Sequence, residues 1–305
     1  MDVGALVFWT ILTLLVAVIV WVRVKVRRMA AAQRGTTVAQ YAERTRAVWA
    51  CDPSMFTPRP EHWPLAVAAP FSIENRAAWD RLDLTELDGP RRGLADAWSI
   101  RSRPELLGQL HALLREGHRV GFADEVTTWS VHDPATIDGH DHDTDELRWR
   151  AQQVKNNARG IRSVRFEAWD LVRAAMLIRA GLSLGWLTRD EALDTLYLLS
   201  PTLHRTYTGW PDLGRHFFTA RWYWFSQDGA PMIDEDNYDA GRMRSLTDPV
   251  TGPWSHVPWD VTLPPSRLIL VDALIDEGLV PGVAEPARTQ LGELIDRAIH
   301  DRTAP

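Results

Sequence analysis

The sequence predicts a mainly α protein: an irregular, tryptophan-rich helical domain behind one N-terminal transmembrane helix. Three observations carry that prediction. Residues Val3 to Val22, VGALVFWTILTLLVAVIVWV, form an uninterrupted apolar run. Beyond it, apolar residues recur at helical spacing in several segments, while period-two alternation never holds for more than a few positions. Fifteen of the 305 residues are tryptophan, so most indoles must be buried in any folded domain.

Length and charge narrow the class. A chain of 305 residues has room for one large domain or two small ones. Its 34 basic and 40 acidic residues leave a net charge of −6. No basic patch stands out beyond the arginines next to the apolar run, which argues against a nucleic-acid partner. The single Cys51 excludes an internal disulfide framework and fits a reducing compartment.

The apolar run has the length of a membrane span. At ~1.5 Å per residue, a helix over residues 3–22 covers roughly 30 Å, the thickness of a bilayer's hydrocarbon core. Trp9 and Trp21 stand towards its two ends. Asp2 precedes the run, and Arg23, Lys25, Arg27 and Arg28 follow it. The positive-inside rule then puts the C-terminal side in the cytoplasm. A cleaved signal peptide would instead carry a basic leader and a shorter apolar stretch. The expected partner of residues 3–22 is the lipid bilayer, and the expected location is the inner (cytoplasmic) membrane, crossed once. The expected organisation is an anchor over 1–24, a stalk and Pro-rich extended segment over 25–70, and a helical domain over 71–305.

In chain order, residues 23–49 read as a polar helix or stalk. Pro53, Pro58, Pro60, Pro64 and Pro70 then argue against a regular helix over 52–70, with Phe56, Trp63 and Leu65 stapling an extended segment to the domain. Ser72 is placed to cap a short helix over 73–81. In WSIRSRPELLGQLHALLREGHRVGF, Ser102 and Glu105 form a capping box, and Leu106, Leu110, Leu113 and Leu114 follow at helical spacing. Gly117 is placed to end that helix in a left-handed turn. Residues 131–146, rich in Asp and His, read as a solvated acidic loop.

The run FEAWDLVRAAMLIRAGLSLGWL, Phe166 to Leu187, is the organising helix, apolar on most sides. Thr188 and Glu191 form a second capping box, opening a helix that Pro201 closes. Trp210-Pro211 opens an aromatic helix, with Pro211 at its first position. Residues 226–259 read as loop. Helices over 267–277 and 286–300 follow, the latter with Leu291, Leu294, Ile295 and Ala298 on one stripe.

Trp98, Gly117-His118-Arg119, Asp170 with Arg173, and Trp210 with Gly214-Arg215 occur in this order over residues 98–224. In these motifs the chain resembles an uncharacterised bacterial family, the domain-of-unknown-function family 1266. The resemblance implies a mostly helical domain and supplies no activity, cofactor or catalytic residue.

Asp170 and Arg173 lie three apart on one helix face, where an ion pair forms easily. Such a pair, once buried, is either a structural tie or part of a site. Asp212, Arg215 and His216 repeat the theme beside Trp210. If the two helices pack together, Asp170, Arg173, Arg215, Trp210 and Asp212 converge with His118 or Arg119 on an aromatic-walled pocket. Arginines there would suit a small anionic or planar ligand. No metal or cofactor is expected: Asp141, Asp143 and Asp145 start like a calcium loop, but Glu146 and Gln152 stand where glycine and glutamate belong, and no zinc spacing occurs. No nucleophile elbow or phosphate loop appears either. The expected role is a non-enzymatic binding or adaptor module at the membrane, with an unknown protein or small anionic ligand as its further partner. The alternative is a hydrolase-like or transferase-like enzyme using the Asp/Arg pocket.

Overall fold

A computed structural model describes residues 36–139, 142–225, 232–280 and 286–304. Along them run α1 (Val38–Arg44), α2 (His62–Glu74), α3 (Asp88–Trp98), α4 (Arg103–Arg115), α5 (Gly117–Val131), α6 (His142–Lys155), α7 (Glu167–Ser183), α8 (Arg189–Thr206), α9 (Trp210–Trp224), α10 (Met232–Leu246), α11 (Pro253–His256), α12 (Ile269–Asp276) and α13 (Gln290–Thr303). Among the described residues no strand forms; one isolated bridge joins Val48 and Ala78. The predicted span over residues 3–22 and its basic flank lie outside the described residues. Within them no helix is long and apolar enough to cross a membrane.

The organising helix is α7. It is buried from Ala168 to Ala175 and again from Leu177 to Gly181, because α2, α3, α4, α5, α8 and α9 all pack on it. Gly181 lets α4 come close: a Cβ there would sit 2.2 Å from a Leu106 methyl. Gly185 ends the segment at φ +73, a conformation that suits glycine. The Thr188–Glu191 box then starts α8, with Glu191 N donating to Thr188 Oγ1 at 3.2 Å and Thr188 N to Glu191 Oε2 at 2.6 Å. The box expected at Ser102 is only half made: Ser102 caps Glu105 N, but the Glu105 carboxylate accepts from Arg101 N at 2.6 Å.

Two proline expectations need correction. The stretch 62–70, read as extended, lies inside α2, which is buried along nearly its whole length, so the expected helix over 73–81 with Ser72 as cap is replaced by the end of this one. Pro70 removes the N–H that Ala66 O would accept from, and the Trp254 indole donates to that carbonyl instead, at 2.9 Å. Pro64 sits in the first turn, where N–H groups have no intrahelical acceptor anyway. In α8, Pro201 does not close the helix, which runs on to Thr206; the Ser200 hydroxyl donates to the freed Tyr197 O at 2.7 Å. A proline inside a helix costs a hydrogen bond and a clash, and here side chains restore the hydrogen bond.

The tryptophans act as staples for irregular chain. Trp63 Nε1 donates to Trp259 O at 2.8 Å, Trp210 Nε1 to Val257 O at 2.7 Å, and Trp49 Nε1 to Thr251 O at 2.9 Å. The rings of Trp63, Trp210, Trp254 and Trp259 pack together, with Trp210 and Trp254 stacked at 5.8 Å and Trp63 5.3 Å from both Trp210 and Trp259, while Trp49 packs on Trp79 at 4.7 Å. The segment 226–259, expected as loop, holds α10 and α11. Gly241 on α10 lets α1 approach, since a Cβ there would lie 2.4 Å from the Tyr41 Cβ. Ser245 Oγ donates to Ala42 O at 2.8 Å. The stretch read as stalk therefore carries a helix docked on the domain, from Val38 onward.

Candidate functional site

The corner between α4 and α5 is built on Gly117, whose left-handed backbone follows the end of α4 as expected and which also opens α5. Its φ is +62, and a Cβ would fall 2.0 Å from an Asp170 oxygen. Glycine is required twice over, by conformation and by space. No side chain of the corner itself caps α5. Asp170, reaching across from α7 and fully buried, accepts from His118 N at 3.0 Å and Arg119 N at 2.9 Å. A carboxylate suits a helix N-terminus because it satisfies orphan N–H groups and meets the positive end of the dipole.

Arg119 completes the corner. Its Nη1 donates to Asp170 at 3.2 Å and to Leu113 O at 2.5 Å, and its Nη2 to Leu114 O at 2.7 Å. One guanidinium thus ties the end of α4 to the start of α5 and to α7. Arg173 is held differently. Its guanidinium lies between Trp98 (4.4 Å) and Trp169 (4.7 Å), donates to His118 Nδ1 at 3.1 Å, and stays 3.7 Å from Asp170. Burial pulls its pKa down to about 10, with Asp170 opposing the shift, so it remains charged at neutral pH. With Nδ1 accepting, a neutral His118 ring carries its proton on Nε2. That ring is 40% exposed and borders an open depression of about 520 Å³ shared with His111 and Glu116.

Asp170, Arg173, His118 and Arg119 therefore meet as expected of a cluster, whereas Trp210, Asp212 and Arg215 make different connections. Asp212 accepts from Thr208 N at 3.0 Å and pairs with an Arg215 that is 69% exposed. His216 lies 3.4 Å from Asp212, and its Nδ1 accepts from Arg165 N at 3.0 Å. The Trp210 indole is engaged with Val257. Asp212 and Arg215 thus serve the start of α9, and Trp210 ties that start to Val257.

The feature that sequence reading missed is a cavity of about 380 Å³ between α2, α3 and α7. Phe71, Leu84, Leu94, Trp98 and Met176 give it apolar walls, and Gly89, Gly93 and Ala97 of α3 line it four residues apart. Arg179 borders it from α7, and Arg76 and Glu86 from the loops beside α2 and α3. The periodic Gly89-Gly93-Ala97 pattern was the available signal, but small residues at helical spacing announce close packing as readily as space.

The acidic stretch is shorter as a loop than expected, because α6 already begins at His142. Arg148 folds back to donate to Ile137 O and Gly139 O at 3.0 and 2.9 Å. Among the described residues no three His, Cys, Asp or Glu side chains come together in a way that could hold a metal; His140 and Asp141 lie outside them.

A family model described as a protein of unknown function (DUF1266) matches residues 93–259. That is more than half of the chain, and the chain belongs to this family. It is similar to the uncharacterised protein YbeR of Escherichia coli (strain K12), 27% identical over 145 residues that make up 47% of this chain and 62% of YbeR. It is also similar to the uncharacterised protein YbeU of the same organism, 26% identical over 180 residues, 53% of this chain and 70% of YbeU. The chain thus spans less than two thirds of YbeR's length. No solved structure matches.

Proposed function

We propose that this member of the DUF1266 family is a non-enzymatic binding module, tethered to the cytoplasmic face of the inner membrane by residues 3–22. The observation that carries the binding reading is the cavity of about 380 Å³ under α3. Its volume falls within the ~300–1,000 Å³ of small-molecule sites, and such sites combine mostly apolar walls with a few polar groups. The buried cluster next to it does not favour the enzyme reading. General acid–base work needs a carboxylate that can reach a substrate proton, and Asp170 is 0% exposed and accepts from two backbone amides and one guanidinium. The tether rests on the apolar length of residues 3–22 and the four basic residues that follow.

Two measurements test the reading. The full chain in phosphatidylcholine vesicles should melt at a higher temperature with the neutral aromatics naphthalene or indole, because a ligand that binds only the folded state adds about 2.7 kcal/mol at 100 times its Kd. Gly93→Phe should erase that rise: nothing lies within 4 Å of a Cβ at Gly93, and the residue lines the cavity. If neither compound shifts the wild-type transition, the binding reading is overturned. For the tether, a reporter active only in the periplasm and fused after Pro305 should stay silent; strong periplasmic activity would reverse the orientation.

A further inference from the structure

The charges around the cavity point to the chemistry of its ligand. Arg179 is 3% exposed, and all of its acceptors are neutral. Nε donates to Leu82 O at 3.4 Å, Nη1 to Ser72 Oγ at 2.5 Å, and Nη2 to Ala78 O at 2.8 Å and Arg81 O at 2.7 Å. A guanidinium has five N–H groups, so among the described residues one on Nη1 has no acceptor and no carboxylate forms an ion pair with Arg179. A buried charge without a counter-charge is costly, and Asp80 and Asp83 offset it only at a distance.

A second cation stands at the rim. Arg76 is exposed, holds a left-handed backbone at φ +52, and makes no hydrogen bond or ion pair among the described residues. Among the described residues Glu86 is the one acid of the lining. Among the described residues the cavity therefore offers apolar walls, one buried guanidinium that no carboxylate pairs with directly, and one exposed guanidinium that makes no hydrogen bond or ion pair. The small residues Gly89, Gly93 and Ala97 keep its α3 side low enough for a slender ligand to lie along it.

Resting on the binding reading above, we propose that the cavity takes an anionic amphiphile: a single apolar chain ending in a carboxylate or a phosphate. The chain lies against Phe71, Leu94, Trp98 and Met176, and the anion is held at the mouth by Arg76 within the field of Arg179. Such a molecule reaches the site either from the bilayer to which the domain is tethered or from water. The two sources differ in chain length, because long chains reside in the membrane and short ones stay in solution.

The test uses the full chain in phosphatidylcholine vesicles and a dodecanoate bearing a photoreactive diazirine at its chain end. After photolysis, peptides carrying Phe71, Trp98 or Met176 should be labelled. Excess dodecyl phosphate should remove that label, whereas dodecanol should compete about tenfold more weakly, the loss expected for one charge-assisted hydrogen bond. Arg76→Ala should weaken dodecanoate about tenfold and leave dodecanol unchanged. Gly93→Phe should remove cavity labelling while label in the 3–22 peptide persists as an internal control. A hexadecanoate probe that labels better than an octanoate probe assigns the bilayer as source; the reverse assigns water. Equal competition by dodecanol and dodecanoate, or an Arg76→Ala chain that binds both as wild type does, overturns the proposal. If naphthalene or indole still raises the melting temperature in that case, the binding module stands and only the ligand class is wrong.

Discussion

Asp170→Asn is expected to lower stability by roughly 3–5 kcal/mol, the cost of removing one partner from a buried charged network. The substitution is nearly isosteric, so packing does not enter. What changes is that one oxygen becomes an NH₂ group and the negative charge vanishes. If the amide oxygen keeps Arg119 N and Nη1, at 2.9 and 3.2 Å in the wild type, the NH₂ faces His118 N at about the 3.0 Å now spanned by a hydrogen bond. Two donors then oppose each other at the start of α5, and Arg119 and Arg173, both buried, lose their shared counter-charge. At about 2–4 °C per kcal/mol for a domain of 150–250 residues, the melting temperature should fall by about 10 °C.

Asp212→Asn provides the contrast. Asp212 lies near the surface, and its Arg215 partner is 69% exposed, so a loss near 1 kcal/mol is expected. A wild-type melting temperature in Asp170→Asn, combined with a lost cellular role, would contradict the structural assignment and return Asp170 to the list of site residues.

That contrast shows what the sequence could and could not disclose. The spacing of Asp170 and Arg173 announced a helix face with charge on it. It did not announce that Asp170 serves a helix that begins 53 positions earlier, at Gly117. Asp194 repeats the device: it accepts from Arg267 N at 2.6 Å and Ile269 N at 2.8 Å, capping α12 from α8. Capping rules look within three residues of a helix start, so they found Thr188 with Glu191 and could not find caps supplied from another helix. The same locality explains the prolines. Pro70 lies in a helix because Trp254, far along the chain, supplies the donor for Ala66 O. The cavity was illegible for a related reason, since its walls come from three helices and its width depends on side chains that are absent from Gly89 and Gly93. The organising helix was legible because all-round apolar composition needs no partner to be recognised.

Trp169→Ala is expected to cost about 3–5 kcal/mol, in the range for large aromatic truncations in a core. The indole is 4% exposed and packs 5.6 Å from Phe217 and 5.2 Å from Trp224, both on α9. It also forms one of the two aromatic faces around the Arg173 guanidinium, 4.7 Å from the ring. Truncation therefore opens a void between α7 and α9 and removes one of the two rings against which a buried cation rests. The sum approaches the ~5–15 kcal/mol of a typical domain, so weak expression should accompany an early urea transition.

Trp169→Phe separates packing from polarity. Among the described residues Trp169 Nε1 is buried with no hydrogen-bond partner, unlike the indoles of Trp63, Trp210 and Trp254. Phenylalanine gives up ring volume but also removes that stranded donor, whose burial costs ~1–3 kcal/mol. The two effects oppose each other, and Trp169→Phe should stay within about 1 kcal/mol of wild type while Trp169→Ala falls far below it. An unfolding free energy for Trp169→Ala within about 1 kcal/mol of wild type, from the urea transition, would show that α7 and α9 hold together without the indole, and would remove α7 from the centre of the fold.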